Sequence, residues 1–140
     1  MVKTEALVAK ANYCVVCDDL RTEQSGKLII IGVYTEDVVV PRFPAVLPRL
    51  TFLSRVAGPA RIPRVRGTLR YVGGEAILTL EAQGEGNDEL ETTFAVLAAA
   101  PVVFPRAGDL EYVLTDVEHN DAPILVHRFR VQQQAVDSPR

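Results

Sequence analysis

Between Arg64 and Ala82 the chain carries a pattern that admits one local structure. Val65, Gly67, Leu69 and Tyr71 alternate with Arg64, Arg66, Thr68 and Arg70; Gly73-Gly74 follows, and Glu75 to Ala82 returns. Strict alternation is the period of a strand with one buried face, and a Gly-Gly pair signals a two-residue hairpin. With those glycines as the turn, paired positions sum to 147. Leu69 then faces Leu78, Thr68 faces Thr79 and Arg66 faces Glu81, so apolar meets apolar and charge meets opposite charge.

The same β-type runs recur along the chain, separated by Gly and Pro. They are Asn12 to Cys17, Lys27 to Tyr34, Leu50 to Val56, Glu91 to about Ala99, Gly108 to Val117 and Ile124 to Gln132. Asp18 to Gly26 and His119-Asn120-Asp121 read as turns, and Lys3 to Ala11 as one or two helical turns. Pro41, Pro44 and Pro48 deny ladder N–H groups to their stretch, which should cross between sheets or run along an edge. No repeat or linker divides the 140 residues, so one domain is expected over 1–140, with ends fraying at about 1–10 and 133–140. The fold class is all-β: an immunoglobulin-like β-sandwich of about 7–9 mostly antiparallel strands, with a small closed barrel as the alternative. Tyr112, Phe129 and Val131 belong to its core.

Composition bounds the function. Hydrophobic residues make up 48% and charged residues 24%, which is globular rather than disordered. The net charge of −3 argues against a nucleic-acid or polybasic membrane binder. Two cysteines and no cysteine framework suit a reducing compartment. The longest apolar run, Phe94 to Phe104, spans eleven residues with Pro101 inside it, too short to cross a bilayer. A cytoplasmic location is expected.

Cys17-Asp18-Asp19-Leu20-Arg21-Thr22-Glu23, Gly26-Lys27, Ile31-Gly32-Val33-Tyr34 and the stretch from Pro44 to Leu50 together resemble a family of small bacterial proteins of unknown function. The match covers about the first fifty residues, with a looser one in the closing hairpin. The resemblance implies a compact stand-alone β-sandwich and carries no established activity. On that reading the Asp-Asp-x-Arg-x-Glu and Gly-Lys elements fix the first hairpin.

Candidate chemistry is sparse. Cys14 and Cys17 form a C-x-x-C pair, but in a strand residues three apart point to opposite faces, which suits buried hydrophobes better than a metal or redox site. His119 and His127 are eight apart, outside the spacing of zinc histidines. His127 shares the inward phase of Leu125, Phe129 and Val131. No nucleophile elbow, metalloprotease helix or phosphate loop is present. The tip Gly84-Glu85-Gly86-Asn87-Asp88-Glu89 offers oxygen ligands without the order of a calcium loop. No catalytic residue, metal or cofactor is expected, and the protein is read as a non-enzyme.

Two further features bear on partners. From Pro41 to Gly74 there are seven arginines and no acid; from Glu75 to Pro105 there are six acids and no base. These blocks oppose each other on the central hairpin, either as a cross-strand ladder such as Arg66–Glu81 or as a stripe of Arg61, Arg64, Arg66 and Arg70 offered to an anionic protein partner. In Leu28 to Tyr34 both pleat faces are apolar, although one face of a sandwich sheet normally meets water. Ile29, Ile31, Val33 and Leu53 are therefore candidates for self-association, with a homodimer favoured. The rival covers are the Pro41–Pro48 crossing and the N-terminal segment. The expected function is a binding or assembly module. The alternatives are a small-ligand or carbohydrate-binding accessory domain, weakened by the absence of Trp, and, behind it, a metal-dependent enzyme.

Overall fold

The computed structural model describes residues 10–57, 64–83 and 92–135. One sheet holds β1 (Lys10–Thr22), β2 (Leu28–Val33), β5 (Leu50–Ala57) and β8 (Thr92–Ala99), in the order β2-β1-β5-β8 and antiparallel throughout. The other holds β3 (Val38–Val40), β6 (Arg64–Tyr71), β7 (Ala76–Gln83), β10 (Gly108–Asp116) and β11 (Ala122–Gln133), in the order β3-β11-β10-β6-β7. Only the β3–β11 pair is parallel among these. A small third sheet pairs β4 (Ala45–Leu47) with β9 (Val102–Phe104). Among the described residues no ladder joins the two large sheets, and the fold is an all-β sandwich.

Eight strands have six residues or more, and β3, β4 and β9 have three each. The short ones lie where prolines limit the run: Pro41 follows β3, Pro44 and Pro48 bracket β4, and Pro101 and Pro105 bracket β9. The Pro41–Pro48 stretch thus builds half of the third sheet. That sheet closes over the core, to which Ala45, Val102 and Phe104 belong.

The central hairpin has the register its sequence implies, with Leu69 opposite Leu78, Thr68 opposite Thr79 and Arg66 opposite Glu81. Its turn differs. Tyr71 N donates to Glu75 O and Gly74 N to Tyr71 O, making a three-residue loop over Val72–Gly74 in place of the two-residue Gly-Gly turn, and beyond Leu69 the register slips so that Arg70 opposes Ala76. The first hairpin also differs from expectation, because β1 runs on to Thr22 instead of turning at Asp18. Asp19 accepts from the Leu20 N–H and pairs with Arg21 and Arg49, so this polar stretch can lie in an exposed ladder. The helical turns expected over Lys3–Ala11 fall largely outside the described residues, and Lys10 and Ala11 are already strand.

The core is the alternation made solid. Leu50, Phe52 and Val56 from one sheet meet Leu69, Leu110, Tyr112, Leu114, Phe129 and Val131 from the other. Each such side chain contributes about 1.5–3 kcal/mol when fully buried. Phe52 and Tyr112 stack face to face across the sandwich, with centroids 4.1 Å apart and planes 2° from parallel. Gly67 makes room for that stack: a Cβ there would lie 2.6 Å from the Tyr112 hydroxyl and 2.7 Å from its ring.

Candidate functional site

The outer face of the four-stranded sheet has an unusual surface for a strand pleat that meets water. Cross-strand pairs place Val33 beside Cys17, Cys17 beside Thr51, Val15 beside Leu53 and Leu53 beside Val96. Extending the same phase adds Ile31 and Ile29 on β2 and Phe94 on β8. An apolar stripe therefore runs obliquely across all four strands. Twelve large hydrophobic side chains are exposed among the described residues, and five of them (Ile29, Ile31, Val33, Phe94 and Val96) stand on this one face. That concentration separates a patch from the scattered exposure of any protein surface.

Leu53 corrects the sequence expectation. It lies on the outward phase but is only 2% exposed, so it cannot serve as a free contact residue. It sits on a central strand, opposite Val15 on one side and Val96 on the other. Phe94 and Val96 take its place at the accessible end. Their strand alternates less cleanly in sequence, and only the order β5-β8 reveals that they continue the stripe from β2. Of the two covers considered within the chain, the Pro41–Pro48 crossing pairs with β9 in the third sheet, and the N-terminal segment up to residue 9 lies outside the described residues.

Charged residues frame the stripe. Asp19, opposite Ile31, pairs with Arg21 at 3.4 Å and Arg49 at 3.2 Å, while Arg55, opposite Phe94, is exposed at the far end. The backbone hydrogen bond from Leu20 is the largest influence holding the Asp19 carboxyl below its usual range. Asp18, one residue earlier, accepts the Tyr34 hydroxyl at 2.7 Å, and its carboxylate occupies the place a side chain on residue 32 would need. Burial, then that hydrogen bond, pushes the Tyr34 phenol up to about 12. Asp18 and the Gly32-x-Tyr34 element thus tie β1 to the end of β2, while Asp19 holds Arg21 of its own strand and Arg49 ahead of β5.

Of the four arginines of the central block, Arg66 and Arg70 are engaged in ion pairs. Arg61 lies outside the described residues. Arg64 is exposed, and Arg66 binds Glu81 at 2.8 Å and Asp121 at 2.9 Å. Arg70 contacts Glu111 at 2.6 Å, and Arg128 approaches the same carboxylate at 3.5 Å. The Arg66–Glu81 rung is the one read from the hairpin register; Glu111 and Asp121 reach their arginines from strand β10 and the turn after it, which hairpin pairing does not show.

Cys14 and Cys17 face opposite sides of the sheet. Cys14 packs against the core, where burial pushes its thiol up to about 11, and Cys17 is buried on the outer phase. The Ser54 hydroxyl and the Tyr112 hydroxyl are both buried on the inner side with no hydrogen-bond partner among the described residues. His119 Nδ1 lies 2.7 Å from Asp116 Oδ2, and Asp116 also accepts the Glu118 N–H as the cap of a 3-10 turn over Val117–His119. The acidic tip Gly84–Glu89 falls outside the described residues. Among those described, no three His, Cys, Asp or Glu side chains cluster as metal ligands, and no helix is long and apolar enough to cross a membrane.

His127 is half-buried on the inward phase of β11, stacked on Phe129 at 6.0 Å. Burial depresses its pKa below the ordinary 6.5, so the folded state resists protonation. Well above pH 6.5 the ring is neutral folded or unfolded and contributes no slope. As pH falls below 6.5 the unfolded chain takes the proton first, and stability drops until the depressed folded pKa is passed. Urea titrations at pH 7 and below 6 should show this loss in the native protein and a smaller one in His127→Gln. Equal losses would place the proton uptake elsewhere.

No curated protein matches this chain. The family model described as a family of unknown function, DUF6941, matches residues 12–132, which takes in both large sheets and the tie between β1 and β2. The chain is a member of that family of unknown function.

Proposed function

We propose that this protein is a non-enzymatic binding or assembly module whose working surface is the outer face of the sheet β2-β1-β5-β8. The observation that carries the reading is the concentration of Ile29, Ile31, Val33, Phe94 and Val96 on that face while its central residues are already buried. An apolar patch of this kind, rimmed by charges, favours contact with another apolar surface. The other large sheet instead covers its outer side with ion pairs, so the apolar face stands apart from its surroundings.

The double variant Ile31→Asp, Phe94→Asp places two carboxylates on the stripe without touching the core. The native protein is expected to bind an apolar dye such as bis-ANS, or to associate, and the double variant to do neither while keeping the native circular dichroism and melting temperature. A native protein that neither binds the dye nor associates at tens of micromolar overturns the reading.

A further inference from the structure

We propose that Arg70 and Arg128, held on either side of the buried carboxylate of Glu111, form a binding site for a phosphate group on the outer face of the five-stranded sheet. The site lies on the other layer of the sandwich from the apolar stripe and does not depend on it. Arg70, Glu111 and Arg128 are cross-strand partners on β6, β10 and β11, so they make one row across three adjacent strands. The Glu111 side chain is only 9% exposed, and each of its oxygens meets one Nε: Oε1 that of Arg70 at 2.6 Å, Oε2 that of Arg128 at 3.5 Å. Two guanidinium groups share one carboxylate, which leaves this row one positive charge in excess. Among the described residues neither arginine pairs through its terminal nitrogens, and the two side chains are 46% and 70% exposed. The buried acid is thus a buttress that fixes two donor forks facing solvent.

The class of ligand follows from that geometry. Two strand spacings of about 4.8 Å separate the backbones of Arg70 and Arg128. A planar carboxylate fills a single guanidinium fork, whereas a tetrahedral phosphate has oxygens to present to both. On one side the next row, Thr68, Val113 and Val126, carries no charge to oppose an anion. On the other side, beside Arg128, the surface sinks into a depression of about 390 Å³ that Asp37, Val72, Asp109, Phe129 and Arg130 also line. Asp109 holds the Arg130 Nε at 3.0 Å, and Asp37 accepts from the Arg130 N–H and the Gln132 amide. Two carboxylates against one guanidinium leave this end one negative charge in excess, which disfavours a second anionic group there. The ligand is therefore a phosphate monoester whose neutral or cationic body enters the depression.

Inorganic phosphate added to the isotope-labelled native protein at constant ionic strength should shift the Arg70 and Arg128 Nε resonances saturably and leave that of Arg66 in place. Arg128→Lys keeps the charge and loses the fork; its affinity for phosphate should fall about tenfold, the loss of one charge-assisted hydrogen bond. The Arg128 side chain is 70% exposed, so the fold is not at stake. O-Phosphoethanolamine, with its cationic body, should bind more tightly than phosphoglycolate, with its anionic one. Shifts that never saturate, that chloride reproduces, or that are as large at Arg66 report screening and overturn the site. Equal affinity in Arg128→Lys overturns the two-fork geometry. Phosphoglycolate binding as tight as that of O-phosphoethanolamine overturns the placing of the ligand body.

Discussion

Gly67→Val is expected to destabilise the protein more than any conservative change in the central hairpin. Gly67 lies inside β6 on the buried phase, and a Cβ there would sit 2.6–2.9 Å from three atoms of Tyr112. Those atoms cannot retreat, because the ring is stacked on Phe52 at 4.1 Å and is fully buried. Overpacking of this kind costs about 1–3 kcal/mol and occasionally more, with valine at the upper end and alanine below it. For a chain of this size each kcal/mol lowers the melting temperature by roughly 4 °C. Thermal and urea unfolding of Gly67→Ala and Gly67→Val measure the loss. Pairing Gly67→Ala with Tyr112→Leu should destabilise by less than the sum of the two, since the second change removes the obstructing ring. A Gly67→Val protein as stable as the native one would mean that Tyr112 is not held where the structure places it.

Tyr112 should separate packing from polarity. Tyr112→Ala removes the largest fully buried side chain of the core and its stack on Phe52, and a loss of about 3–5 kcal/mol is expected. Tyr112→Phe keeps the ring and removes only a hydroxyl that is buried without a partner among the described residues. An unsatisfied buried hydroxyl costs about 1–3 kcal/mol, so the phenylalanine variant should be as stable as the native protein or more so. The contrast between two substitutions at one position is the measurement. A Tyr112→Phe variant that loses more than about 1 kcal/mol would show that the hydroxyl is satisfied.

Much of the fold was legible because a half-buried strand writes its burial into a period of two. Arg64–Tyr71 shows every second residue buried, and its register with β7 up to Leu69 is the one counted from the sequence, although the chain reaches it through a three-residue loop and a register shift in place of the two-residue turn. The inward phase of Tyr112, Phe129 and Val131 followed from the same rule. The ends of elements were less legible. β1 continues through Asp18 to Thr22 because hydrogen bonds and ion pairs sustain a polar ladder, and no hydropathy pattern announces that. The candidate surface was half legible. Two apolar phases on Leu28–Tyr34 pointed to an uncovered face, and Ile29, Ile31 and Val33 do stand exposed. Leu53 was misplaced because outward phase does not by itself mean exposure: the side chain is 2% exposed.

The amino-acid order by itself determined the β class, the central hairpin register and which side of most strands is apolar, since these depend on neighbours two residues apart or on a single short turn. Only the tertiary structure decided the sheet order β2-β1-β5-β8, and with it the union of Ile31 and Phe94 in one stripe. It also decided that Glu111 and Asp121 engage arginines of the central hairpin. These meetings join strands far apart in the chain. Their free energy comes from burial shared between layers, which no local pattern encodes.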